Sequence, residues 1–172
     1  MDKENLPVRK KNRLINFDYS RGGAYFVTIC TQDRKRILSS IVHTNGPDYV
    51  GEGFALPQLT NIGQIAEYWM KNICVRFSNA ELDKYVIMPN HIHMVLILRE
   101  SDGRANPSPT VSSIIGWLKY NITRAADLKS GQRLFQRSFY DRIIRNRDEY
   151  MEICNYIYFN PLNWENDELY SL

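Results

Sequence analysis

The sequence predicts an α+β domain of the ferredoxin-like split βαβ kind. An antiparallel sheet built in the order βαββαβ carries its helices on one face and is followed by a C-terminal helix. Three observations lead there. Runs rich in β-branched and aromatic residues alternate with stretches of helical apolar spacing, in the order strand, helix, strand, strand, helix, strand. The two middle strands are separated only by Pro89-Asn90, a tight-turn pair, so they form a hairpin. The 172 residues suffice for one substantial core, and no repeat, low-complexity tract or linker divides them, so residues 1–172 read as a single domain.

The first strand is GAYFVTIC, Gly23 to Cys30. Residues 45–60, NGPDYVGEGFALPQLT, carry three glycines and two prolines without a sustained period and read as an irregular excursion. A helix follows, with Ile62, Ile65, Ala66, Trp69 and Ile73 on its apolar stripe and Asn61 with Gln64 as a capping arrangement. Leu82 to Met88 and His91 to Leu98 are the hairpin strands. The loop SDGRANPSP (101–109) ends with Pro109 placed for the first position of the next helix, whose stripe is Val111, Ile114, Ile115, Leu118 and Ile122. Ser138 to Arg145 reads as the fourth strand and Asp148 to about Asn160 as the last helix.

Composition narrows the function only slightly. The net charge of +3 is too mild to identify a nucleic-acid binder, but the basic residues are clustered. Lys3, Arg9, Lys10, Lys11 and Arg13 lie at the start; Arg133, Arg137, Arg142, Arg145 and Arg147 lie late, interleaved with Phe135, Phe139 and Tyr140. Such a cluster suits a surface that tracks phosphates and stacks bases, and equally a solvated basic strand and loop. Cys30, Cys74 and Cys154 are too scattered for a metal pair or a disulfide framework and are expected to be packed thiols. No apolar stretch approaches the ~20 residues of a membrane span. The charged start MDKENLPVRKKNR lacks a signal peptide's apolar core, so a cytoplasmic protein without membrane contact is expected.

Chemistry concentrates in two places. In VIMPNHIHMVLIL, His91 and His93 share one face of a strand while Ile92, Met94 and Leu96 share the other. Two imidazoles at i and i+2 can hold one divalent ion, or can simply be hydrogen-bonded near a strand end. Winding DEYMEICNYIYFNP as a helix gathers Tyr150, Met151, Cys154, Ile157 and Tyr158 on an apolar face. Glu149, Glu152, Tyr156 and Asn160 gather opposite. Tyr156 is thus either an amphipathic surface tyrosine or a functional phenol with Asn160 one turn beyond. Pro161 disfavours the α region at Asn160, which is expected to be the helix terminus.

At these residues the chain resembles the single-tyrosine HUH transposases (named for a His, bulky hydrophobic, His motif), and within them the REP-associated tyrosine transposases of the IS200-like type. His91-Ile92-His93 matches the HUH motif, NYIYFNP (155–161) resembles the tyrosine helix, and FQRSFYDRIIRN is similar to the stretch leading into it. The likeness runs from about Gly22 to Pro161. It implies metal-dependent nicking and rejoining of single-stranded DNA at hairpins or palindromes in a bacterial, nucleoid-associated setting. Tyr156 would form a covalent 5′-phosphotyrosine, and His91, His93 and Asn160 would hold Mg²⁺ or Mn²⁺. Glu152, one turn before Tyr156, is the candidate proton acceptor. Lys119, Arg124, Arg137, Phe139, Tyr140, Arg142 and Arg145 are candidate DNA contacts. Relatives work as homodimers with exchanged tyrosine helices or as monomers, and both remain open. The rival readings are a ferredoxin-like nucleic-acid-binding protein without catalysis and a domesticated regulator of palindromic repeats.

Overall fold

The computed structural model describes residues 22–44, 54–100, 109–127 and 132–170. The N-terminal basic cluster and residues 45–53 and 101–108 lie outside them. Four antiparallel strands form the main sheet, in the order β4-β5-β1-β6: β1 (Gly23–Cys30), β4 (Ala80–Ile87), β5 (His91–Leu98) and β6 (Tyr140–Ile144). This is the order of a ferredoxin-like sheet, as the sequence predicts. β1 and β5 have the expected bounds, and their register pairs Cys30 with His91 and Thr28 with His93.

β5 is buried on both faces, and its alternation divides two cores. Ile92, Met94, Leu96 and Leu98 pack with α1 (Asn61–Lys71) and α3 (Val111–Ala125), whose Trp69 and Trp117 rings meet edge-on at 5.6 Å. His91, His93 and Val95 face the other way. There, Val95, Val86 and Met88 pack against Ile153 and Ile157 of α4 (Arg147–Phe159) and against Trp164. The sheet therefore has α1 and α3 on one face and the C-terminal helix on the opposite one.

Several elements differ from expectation. Residues 54–59 are not irregular: Phe54–Leu59 forms β3, paired with β2 (Ser39–Thr44) in a separate two-stranded sheet. Pro57 sits opposite Ile41 in that ribbon, where each strand has a free edge and the missing N–H is tolerated. The cap of α1 is Thr60 rather than Asn61: its hydroxyl accepts from Gly63 N–H at 3.1 Å. The cap of α3 is Thr110, in a reciprocal capping box with Ser113, which leaves Pro109 outside the helix. β6 begins at Tyr140 and not at Ser138, because the carbonyls of Gln136, Arg137 and Ser138 turn instead onto the Lys119 ammonium. Of the three cysteines, all free, Cys30 is buried, whereas Cys74, on the short helix α2 (Ile73–Arg76), is exposed.

The junction between β3 and α1 is a close backbone approach. The Thr60 N–H donates to Leu38 O at 3.0 Å and the Thr60 hydroxyl to Ile37 O at 2.7 Å, drawing Leu38 under the first turn of α1. A Cβ added at Gly63 would lie 2.0 Å from the Leu38 carbonyl oxygen, so this turn can approach only as glycine. Gly63→Ala is expected to destabilise the protein by about 1–3 kcal/mol through backbone displacement. A urea midpoint equal to that of the wild type would refute this.

Candidate active site

The first and third residues of β5 and the second half of α4 meet over the α4-facing side of the sheet. His91 and His93 are buried with ring centroids 4.4 Å apart. Each imidazole is held by one nitrogen. His91 Nδ1 lies 2.8 Å from the side-chain oxygen of Asn90, and His93 Nδ1 lies 2.8 Å from the Thr28 hydroxyl. Phe26 stacks on the His93 ring at 5.2 Å. The Nε2 atoms are what the site receives.

Tyr156 approaches from α4, its hydroxyl 3.3 Å from His93 Nε2 and 3.3 Å from Asp167 Oδ2, and the residue is 44% exposed. Asn160 follows one turn later and is buried. It is the C-cap of α4, the helix terminus expected before Pro161, and its backbone keeps helical angles of φ −57°, ψ −40°. It therefore points the same way as Tyr156, and its amide donates to Asp167 Oδ2 at 2.6 Å.

The buried stripe of α4 differs from the expected one. Ile153, Ile157 and Asn160 are inside, while Met151 and Tyr158, expected to pack, are 48% and 64% exposed. The helix is rotated so that a polar residue enters with the core face and Tyr156 rides at its edge.

Asp167 escaped the sequence reading. It lies beyond the last predicted element, among Glu165, Asp167 and Glu168, where nothing in the pattern separates one acid from its neighbours. A turn and a short 3-10 segment, Trp164–Asn166, curl the chain back and deliver it. Nitrogen and oxygen ligand atoms of His91, His93 and Asp167 all lie within 4.8 Å of one another. His91 Nε2 and Asn160 Oδ1 are buried without a hydrogen-bond partner. Two bare acceptors in one polar pocket are costly unless something positive meets them, so the residues present fit a divalent cation.

The electrostatics favour neutral ligands. Burial pushes His91 down to about 4, against the opposing pull of the Asp167 carboxylate. Burial and the neighbouring His91 hold His93 well below the usual imidazole range. Burial, reinforced by the charge and hydrogen bond of Asp167, pushes the Tyr156 phenol up to about 12. At neutral pH both histidines are thus unprotonated and the phenol keeps its proton.

The remaining expected site residues are placed unevenly. Glu152 is exposed, and neither hydrogen bond of the Tyr156 hydroxyl goes to it. Lys119 is turned onto three backbone carbonyls, and Phe139 packs against the main core. Arg142 pairs with Glu149 at 2.6 Å, and that carboxylate also accepts the Arg145 N–H at 2.7 Å. Arg124, Arg137 and Arg145 are exposed. Tyr140, 56% exposed, is the cross-strand partner of Thr28, so it shares the face on which His93 opens.

Comparisons with known proteins bear on relationship and fold. No protein-family model matches the chain. An uncharacterised protein of Haemophilus influenzae is 29% identical across 94% of this chain and 93% of its own length. A putative REP-associated tyrosine transposase of the same organism is 25% identical, covering 84% of this chain and 73% of that relative. A REP-associated tyrosine transposase of Escherichia coli is 32% identical over 48% of this chain and 44% of its own. Among solved structures, a REP-associated tyrosine transposase bound to a REP hairpin superposes with a TM-score of 0.62. It is 23% identical and matches over 88% of this chain and 74% of that one, which speaks for the fold. In sequence the chain is thus similar to REP-associated tyrosine transposases, and it shares the fold of one of them.

Proposed function

We propose that this protein nicks and rejoins single-stranded DNA at hairpin or palindromic sites through a covalent 5′-phosphotyrosine on Tyr156. The observation that carries the reading is the Tyr156 hydroxyl at 3.3 Å from His93 Nε2, beside the unpartnered His91 Nε2 and Asn160 Oδ1. A phenol, two neutral imidazoles and an amide oxygen in one half-open pocket suit phosphoryl transfer to tyrosine better than a purely structural cluster.

In this reading Tyr156 Oη attacks the scissile phosphorus, and the bond to the 3′ oxygen breaks. One strand end is then a free 3′-OH and the other is joined to the tyrosine. Reversal by a 3′-OH restores a phosphodiester and frees the phenol, so no external energy source is required. His91, His93 and Asn160 would hold Mg²⁺ or Mn²⁺, with Asp167 in reach as a further oxygen; the mixed nitrogen and oxygen set suits Mn²⁺ somewhat better. When bound, the ion supplies Lewis acidity at the phosphate and charge compensation at the leaving oxygen.

The chain's own groups do the rest. Phe26 and Thr28 fix the His93 ring, and the edge-on contact of His93 with the Tyr156 ring at 5.1 Å fixes the phenol. The phenolic proton has an acceptor in reach in Asp167, which takes the place expected for Glu152. Exposed Tyr140, on the same face as His93, is suited to stack an unpaired base, and the exposed arginines 124, 137 and 145 are suited to phosphates. Tyr156 packs against the histidines of its own chain, so one chain assembles the whole constellation and a monomer suffices for the cut.

The direct test uses a labelled single-stranded hairpin carrying the repeat, with Mn²⁺ or Mg²⁺. A covalent protein–DNA adduct is expected, lost by roughly 10³-fold or more in Tyr156→Phe. An adduct that survives this substitution moves the nucleophile elsewhere, and no adduct on any hairpin favours a non-catalytic binder. His91→Ala should abolish cleavage while the circular dichroism spectrum stays native; persisting cleavage would refute its role as a metal ligand.

The two acids give a separate prediction. Asp167→Asn is expected to slow adduct formation by roughly 10²-fold, the scale of a general base, whereas Glu152→Gln leaves it within twofold. The opposite ranking, read from single-turnover rates, would return the proton to Glu152.

A further inference from the structure

The residue before β5 carries a side chain with two tasks. Asn90 is fully buried; its amide nitrogen donates to the Leu169 carbonyl at 2.8 Å, and its oxygen lies 2.8 Å from His91 Nδ1. The first contact dictates the second. A backbone carbonyl can be met only by the NH₂ end of the amide, so the oxygen end must face the imidazole. An oxygen there is satisfied only if Nδ1 bears the proton. A neutral imidazole has one N–H, so Nε2 is left with its lone pair, buried and unpartnered toward the pocket. Were the amide reversed, its NH₂ would require a bare Nδ1. The proton would then move to Nε2 and close the ring to a metal.

We propose that Asn90 is a positioning residue that sets the tautomer of His91, and that the C-terminal segment, through the Leu169 carbonyl, keeps the amide turned the productive way. This rests on reading His91 as a metal ligand. The segment itself is seated by arginines of the strand-to-strand connection. Arg36 lies over the Tyr170 ring at 4.5 Å and the Trp164 ring at 5.5 Å, and Arg34 donates to the Glu168 carbonyl at 3.2 Å. The same stretch that delivers Asp167 thereby also orients His91.

Two substitutions separate the tasks. Asn90→Ala removes both contacts but leaves the backbone carbonyl of residue 90, which accepts from the Thr31 N–H at 2.9 Å and the Thr31 hydroxyl at 3.0 Å, so the turn should stay folded. Asn90→Asp presents an oxygen to His91 whichever way it is turned, while it replaces the donor to Leu169 with a second oxygen and adds a buried negative charge.

The test measures ring-nitrogen chemical shifts of ¹⁵N-labelled, metal-free full-length protein, together with Mn²⁺ affinity by electron paramagnetic resonance. In the wild type His91 should carry its proton on Nδ1. In Asn90→Ala the proton should shift to Nε2 and Mn²⁺ binding weaken roughly 10- to 100-fold. Asn90→Asp should keep the Nδ1 proton and bind within a few-fold of wild type. The shifts of His93, held by Thr28, should be unchanged in both and report an intact fold. Retained Nδ1 protonation and Mn²⁺ affinity in Asn90→Ala would overturn the proposal, as would equal losses in the Ala and Asp variants. Neither readout uses DNA. A protein that behaves as expected here yet forms no phosphotyrosine adduct sinks the nicking reading and leaves the role of Asn90 standing.

Discussion

Everything in this molecule depends on one strand being buried from both sides. β5 carries His91, Ile92, His93, Met94, Val95 and Leu96 in unbroken burial, so its period of two becomes a partition between two environments. One set of side chains is committed to α1 and α3 as ordinary core. The other lies under α4, and there the two imidazoles are dry, neutral and close together. A register slip of one residue would place isoleucine and methionine at the site and both histidines in the main core. The hydrophobic pattern that stabilises the fold is therefore also what aims the chemistry.

The opposite wall is built with looser rules. α4 is only weakly amphipathic, and the residue that completes its buried stripe is an asparagine. Burial of Asn160 is tolerable because Asp167 accepts from its amide nitrogen, yet its oxygen remains without a partner. The pocket combines satisfied groups that hold the geometry with buried polar atoms that have no hydrogen-bond partner among the described residues. The satisfied ones are Thr28, Asn90 and Phe26, at the back of the imidazoles. The unsatisfied ones are His91 Nε2 and Asn160 Oδ1, at the front.

What the sequence revealed follows from which forces are local. Strand order, the exact run of GAYFVTIC and the facing of His91 and His93 were legible, because alternation and turn chemistry are written in neighbouring residues. The β2–β3 ribbon was not: Pro57 and the scattered glycines mask a short strand whose pairing comes from a partner across a turn. The rotation of α4 was misjudged because sorting by hydropathy places Asn160 outside, whereas the pocket holds it in. Asp167 could not be found at all, since its position is created by a turn after the last periodic element. Lys119 was similarly opaque: its charge is absorbed by three carbonyls, an arrangement that exists only after folding. The tyrosine and its asparagine were legible as a pair from their spacing of one turn, whatever the exact tilt of the helix.

The separation along the chain of the two halves of the pocket bears on how the protein is made. His93 and Tyr156 are 63 residues apart, and α4 follows β5, α3 and β6 in the chain. At bacterial speeds of about 5–20 residues per second, a ribosome needs roughly 3–13 s to travel from one to the other. Throughout that interval the nascent chain carries its imidazoles without the phenol that packs against them. Assembled in this order, the pocket is complete only when α4 docks.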